Sequence, residues 1–536
     1  MKNKKLTRRA AIKLAAETSL SLSLGPFNSF GENDPGKRSN ENPIVLENKK
    51  KGTTDWQLTY IHSKDFRSEM IEGYCSHTSV RAGETIDVFL SAKLVTDVTI
   101  DFYRIGYYGG KGGRFMQQIG PIAVTPQPEP PIAEHRLRQC NWAVSTSFTI
   151  PDDWISGVYL GKLSCSGHRY ESYIIFVVRD ERKADLLFKT SDTTWHAYNK
   201  WPDNYSLYDS DEPEEPHSAR TWVSFDRPYG KYPQVVDQPL SQGSGEFLLW
   251  EYPLCFWLEQ HGYDVTYCGN IDIHDNPLGL KRIKCFLSVG HDEYWTLDMF
   301  NNVKKAVAGG LNAAFLSGNT IKWVIDMLPS ADVTSFDVKS KLTHDGQRIP
   351  FKPDSKGRLF RTMHRLGRFG GLSEEEKARP NYAGPFPMEG PNEGTLMGAR
   401  NPSVPTGSGD WVVTRQDHWI FEGTGMRNGD KIPGLVGWEH CGDPLDLPGL
   451  EVIASGLTIN SGGKQSQSSA TVYPGPKENW VFCAATIFWC IGLSQPPGLT
   501  PPYSHFGRPH GSDERVQRIT ANFFNKCGIL HEKTFR

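Results

Sequence analysis

Four short apolar runs decide what the middle of this chain can fold into: Ala184-Asp-Leu-Leu-Phe-Lys-Thr190, Tyr263-Asp-Val-Thr-Tyr-Cys268, Ile283–Val289 and Leu311-Asn-Ala-Ala-Phe-Leu-Ser317. Helical periodicity lies between them, over Ser244–Gln260 and Leu297–Ala308, with a break expected at Pro253. Such strand–helix alternation is the signature of a doubly wound, mostly parallel sheet. Gly262 and Gly309-Gly310 stand where helix ends favour a residue at positive φ. In such a sheet, ligands gather outside the carboxyl ends of the strands. Three turns there are rich in polar groups: Thr190–Asn199, Gly290-His-Asp-Glu-Tyr-Trp295 and Ser317-Gly-Asn-Thr320. Capping or turn chemistry explains each turn singly; their convergence at one sheet edge points to a site. The candidates are His291, Asp292, Glu293 and Asn319 for catalysis, and Asp192, Trp195, Tyr198, Asn199 and Trp295 for binding a small-molecule substrate.

The flanking segments have other rhythms. Residues 1–30 are basic, then small and apolar, with Arg8-Arg9 placed as in a bacterial twin-arginine export signal. Lys13 and Glu17 interrupt the apolar part, so no membrane span is expected, and the predicted location is periplasmic or extracellular. Residues 31–55 read as a linker, and 56–182 alternate with period two, predicting an immunoglobulin-like β-sandwich. The α/β core is expected over 183–334, a β-rich insertion over 335–450, and completion of the core over 451–536, closing with an amphipathic helix at Arg515–Phe524. The predicted fold is therefore multidomain: a sandwich plus a doubly wound α/β domain carrying an insertion.

Charge is nearly balanced, with 59 basic and 61 acidic residues, so no field favours nucleic acid or a membrane surface. None of the ten cysteines forms C-x-x-C, which removes zinc ribbons and thioredoxin-type sites; one disulfide among Cys75, Cys140 and Cys165 is compatible with export. G-x-S-x-G, H-E-x-x-H and the P-loop are absent, and the turn after Val289 offers no nucleophilic cysteine.

Five segments carry a family resemblance: Thr190–Tyr208 (TSDTTWHAYNKWPDNYSLY), Glu251–Cys268 (EYPLCFWLEQHGYDVTYC), Gly290–Trp295 (GHDEYW), Phe315–Trp323 (FLSGNTIKW) and Ile420–Glu439 (IFEGTGMRNGDKIPGLVGWE). Over about residues 185–530 the chain resembles the large (beta) subunit of N,N-dimethylformamidase. The resemblance implies a core similar to class I glutamine amidotransferases, and a ferric ion held by two tyrosinates and one glutamate. It assigns Tyr294 as one tyrosinate and Tyr252 as the candidate for the other. The Gly-rich counterpart of the glutamate segment, Leu366–Gly371, offers Arg368 instead of an acid, which leaves Glu439, His291 or Glu293 as the third ligand. Phenolate and carboxylate are hard oxygen ligands suited to Fe3+. The function implied is an exported hydrolase of amide C–N bonds, with a homo-oligomer or a small partner subunit left open.

Two alternatives come from other classes. One is a non-catalytic or carbohydrate-binding exported protein with an aromatic cleft built from Trp195, Trp201, Trp295, Trp323 and Trp438. The other is a glycosidase using two of Asp292, Glu293 and Glu439, disfavoured because adjacent carboxylates on one turn point apart.

Overall fold

The apolar runs become neighbouring parallel strands. Leu186–Lys189 pairs with Val265–Cys268 on one side and Cys285–His291 on the other; Asn312–Gly318 and then Trp480–Cys483 follow, all parallel. The computed structural model describes residues 42–61, 66–209, 221–231, 241–329, 360–371, 388–506 and 511–530. The expected signal at 1–30 lies outside them. Beyond Trp480–Cys483 the sheet turns antiparallel through Gln465–Pro474, Glu451–Ile459, Ser408–Val412 and Lys431–Val436, giving nine strands among the described residues.

Burial follows the change of strand direction. Every residue of Cys285–His291 is buried, as a parallel strand covered on both faces requires, whereas Glu451–Ile459 alternates toward solvent at its end. The helix Leu297–Ala308 starts where Thr296 accepts from Met299 N at 3.1 Å, and it turns Met299, Phe300, Val303 and Val307 inward. The closing helix, Glu514–Lys526, is capped by Asp513 and buries Val516, Ile519, Phe523 and Phe524. Over the described residues the chain is a multi-sheet, mostly β protein with few helices, and parallel pairing in the central sheet is confined to its first five strands.

Three expectations need correction. Strands Ser408–Val412 and Lys431–Val436 fall within the insertion expected over 335–450, but they pair into the central sheet; residues 330–359 and 372–387 of that insertion lie outside the described ones. The expected linker is not loose over residues 42–55. Pro43–Asn48 is a helix started by the Asn42 side chain, Ile44 is buried, and Glu47 pairs with Arg114 at 2.7 Å. All ten cysteines are free thiols, so Cys75, Cys140 and Cys165 contribute no disulfide.

The first region consists of a three-stranded and a five-stranded sheet that share a core including Ile86, Phe102, Phe148, Trp154 and Phe176. A buried ion pair ties this two-sheet unit to the parallel half. Arg104, at the end of strand Thr96–Ile105, reaches both carboxylate oxygens of Glu259 at 2.7 and 3.0 Å, and neither side chain is exposed. Arg104 also donates to Ser156 O and Tyr108 Oη, so the charge is satisfied from both units. A further small sheet, which includes Tyr294–Trp295, Trp323–Pro329 and Phe360–Phe369, lies beside the parallel strand ends.

Candidate metal centre

Side chains alternate along an extended chain, so His291 and Glu293 leave the end of Cys285–His291 on one side and Asp292 on the other. Asp292 turns into the core. Its Oδ1 accepts from Lys189 Nζ at 2.7 Å and its Oδ2 from Ser288 Oγ at 2.6 Å, all fully buried. Its expected catalytic part is thereby removed: it anchors the turn.

His291, Glu293 and Glu439 converge, each offering a ligand atom within 4.8 Å of the others. His291 Nε2 lies 2.9 Å from Glu439 Oε2 and 3.5 Å from Glu293 Oε2. Neither contact is aligned as a hydrogen bond, so the nitrogen faces the space between two carboxylates without a hydrogen-bond partner. On the far side, His291 Nδ1 lies 2.9 Å from Glu246 Oε2 and donates to that carboxylate, so a cation that displaced the Nε2 proton would meet the Nε2 lone pair. Asn319 Nδ2 bridges the acids, donating to Glu293 Oε1 at 2.8 Å and Glu439 Oε2 at 3.1 Å, and its own Oδ1 is buried without a partner. Lys322 Nζ stands 4.0 Å from Glu293 Oε1.

The backbone holds this arrangement in place. Asn319 sits at φ 51°, Trp438 at 39° and His505 at 36°, positions that L-residues occupy only when their surroundings enforce it. A Cβ on Gly318 would stand 2.2 Å from Glu439 O, so only glycine allows the two ligand-bearing segments to approach this closely. Thr194 Oγ1 accepts from Glu293 N at 3.0 Å, fixing the other turn.

The phenols lie in one chain. Tyr294 Oη donates to Tyr208 Oη at 2.6 Å, Tyr208 to Tyr198 at 2.9 Å, and Tyr198 to Glu293 Oε2 at 2.8 Å. Burial, then the charge of Glu293, pushes Tyr198 and Tyr208 well above the usual phenol value, and the same two causes act on Tyr294. Burial also works against charge on Glu293, but His291, Lys322 and the Tyr198 hydroxyl outweigh it and hold its carboxyl down to about 2. For His291, burial is again outweighed: Glu246, Glu293 and Glu439 hold the imidazolium well above its ordinary value. Without a cation, the imidazolium and Lys322 are the counter-charges to three converging acids.

Tyr252 is elsewhere. Its hydroxyl is buried without a hydrogen-bond partner, against Gly112 and Trp56 of the two-sheet unit, while Tyr294 belongs to the Tyr208 cluster. A π-turn, Phe247–Glu251, directly precedes helix Tyr252–Gln260, and such a turn shifts the helical phase of the side chains after it. Of the expected binding residues, Tyr198 alone enters the cluster. Asp192 accepts from Asn270 N, Trp195 donates to Glu251, Asn199 fixes the backbone at Pro228, Trp201 and Gly230, and Trp295 lies under Lys189. Trp195, Trp201, Trp295 and Trp323 are buried, so they form no open aromatic cleft. Sequence reasoning missed Tyr208, the last residue of the first resemblance segment, and Glu246, a lone acid directly before an apolar Phe-Leu-Leu-Trp run.

His291, Glu293 and Asn319 at parallel strand ends and Glu439 from beyond the antiparallel half gather around one point, which makes this a candidate metal site in a mostly β protein. The chain belongs to the N,N-dimethylformamidase beta subunit-like, C-terminal family, matching it over residues 99–504. The match begins within the two-sheet unit, in strand Thr96–Ile105, well ahead of the central sheet. No curated protein matches the chain.

Proposed function

We propose that this chain is a metal-dependent hydrolase that cleaves the amide bond of a small molecule. The observation that carries the proposal is the convergence of His291 Nε2, Glu293 and Glu439 on one point, with excess negative charge and unpartnered donor atoms. The family points to an amide as the substrate class. The donor set fits a hard or borderline divalent or trivalent ion, Fe3+ included. Of the phenols, Tyr198 is best placed to join it as a tyrosinate, because its oxygen already touches Glu293.

A bound cation would supply Lewis acidity toward the amide carbonyl and lower the pKa of a water molecule. The chain's own residues do the rest. Glu246 keeps the Nδ1 proton on His291 and so keeps Nε2 available to the ion. Asn319 holds the two carboxylates at a common spacing and offers Oδ1 toward the leaving N–H. Lys322 balances charge on Glu293, and the Tyr208 hydroxyl, which itself reaches Glu293 Oε2 at 3.2 Å, supplies a hydrogen-bonded path along which a proton can leave Glu293. Export by the twin-arginine route, which would carry the protein across already folded, and association with a partner subunit belong to the same proposal.

The test is metal analysis of the purified protein together with turnover of a panel of N-alkyl amides, followed by amine release. One ion per chain that is lost in His291→Ala and Glu439→Gln, with parallel loss of amine release, is the expected result. Full activity in thoroughly chelated protein, or an ion retained in both variants, refutes it.

A further inference from the structure

We infer that the two-sheet unit carries a second binding site, unrelated to the metal centre, for the ring of an acidic sugar. A surface cleft of about 350 Å³ lies between the chain at Thr59–Tyr60 and the facing ends of strands Gly157–Cys165 and Glu171–Arg179. Its volume falls within the range of small-ligand sites. Two aromatic rings line it, Tyr60 and His168, and Tyr170 links them from beside the cleft, its centroid 6.0 Å from that of Tyr60 and 5.7 Å from that of His168. Tyr60 is 45% exposed and His168 is exposed, so both lining rings are presented to solvent, while Tyr170 packs against the core beneath. Exposed flat rings beside hydroxyl and cationic groups suit a ligand with one apolar C–H face and a polar rim, as a pyranose has.

The wall of the cleft is built rigidly. Glu171 Oε2 accepts from Thr59 N at 2.6 Å, Thr59 Oγ1 at 3.0 Å and Tyr60 N at 3.2 Å, and Oε1 pairs with Lys162 at 3.0 Å. Lys162 in turn donates to the carbonyls of Asp55 and Gln57. Among the described residues, Glu171 is the one acid lining the cleft, and it is spent on holding Tyr60 in place, which lowers the ordering cost of binding. Arg169 lines the same cleft, and among the described residues no acid pairs with it. With Glu171 balanced by Lys162, Arg169 leaves a net positive charge, and a guanidinium matches a carboxylate in two parallel hydrogen bonds. A uronic acid, stacked on Tyr60 with its carboxylate on Arg169, satisfies both features.

The test is calorimetric titration of the whole protein with a linear uronic acid oligomer and, separately, with a neutral glucose oligomer of the same length. Both Tyr60 and Arg169 are exposed, so their variants should fold, which circular dichroism and unchanged metal content verify. The expected result is binding of the uronic oligomer in preference to the neutral one. Tyr60→Ala should weaken it by about tenfold, and Arg169→Gln should bring the acidic-to-neutral affinity ratio to about one. No binding by the folded protein, equal binding of the two oligomers, or binding indifferent to both substitutions overturns the inference.

Discussion

Replacing Asp192 with asparagine should change how stability depends on pH, and the structure gives the size of the change. The Asp192 side chain is 2% exposed; one oxygen accepts from Asn270 N at 2.8 Å and the other has no hydrogen-bond partner. Burial, only partly offset by that backbone bond and by Lys189, lifts its pKa from 3.8 to about 6. The folded state thus holds this proton more tightly than the unfolded chain does. The resulting stabilisation is fully present below pH 3.8 and is lost as pH rises through 6. A difference of about 2.2 pK units corresponds to about 3 kcal/mol. In Asp192→Asn the carboxamide would keep the acceptor for Asn270 N and stay neutral throughout. Any cost of burying its amino group is the same at every pH. The variant-minus-wild-type difference, measured as urea unfolding midpoints from about pH 4 to 7.5, should therefore grow in the variant's favour by up to about 3 kcal/mol across about pH 4–6.5 and then level off. Differencing removes the titrating groups that do not interact with Asp192. A flat difference across that window would mean that Asp192 ionises as it does in water, and that the desolvation argument is wrong.

Other outcomes follow from the same structure. Arg104→Met leaves Glu259 charged and buried, and should cost about 3–5 kcal/mol; the Arg104→Met/Glu259→Met double variant should recover most of it in the same urea assay. In protein loaded with Fe3+, a visible tyrosinate-to-iron absorption band should vanish in Tyr198→Phe and persist in Tyr252→Phe; the reverse pattern would restore Tyr252 as the ligand. Arg8→Lys/Arg9→Lys should trap uncleaved precursor in the cytoplasm, as seen by fractionation and immunoblot, and normal export of that variant would exclude the twin-arginine route.

The parallel strands are legible in the sequence because each is a closed apolar run that stops in a polar turn. Leu297–Ala308 is legible to the residue, with apolar spacing and a Thr cap agreeing. His291, Glu293 and Asn319 are accessible through the rule that such turns share an edge. The opposed directions of Asp292 and Glu293 also follow from period-two alternation, a signal that naming both as catalytic overlooks. Tyr252 is misplaced for a reason no periodicity carries. Whether a helix begins with a π-turn is decided by packing around Phe247–Glu251, and one added residue rotates everything after it. Glu439 stands 120 residues beyond Asn319 in the sequence. Its arrival depends on the antiparallel strands folding back, so only the family resemblance could propose it.

The ligand set straddles the line where the central sheet changes from parallel to antiparallel. His291, Glu293 and Asn319 belong to the parallel half. Glu439 closely follows Lys431–Val436, the outermost strand of the antiparallel half, and leans on Gly318. A chain that has assembled only the parallel strands owns an incomplete cage, and a weak one, because carboxylates without their partner hold an ion poorly. On the proposed metal reading, full affinity would come only when the last strands close. By mass action, a bound ion would then stabilise the finished sheet over any less complete one. Ion content would become a readout of completed folding, and for a protein exported folded it would mean that the ion is taken up before the membrane is crossed.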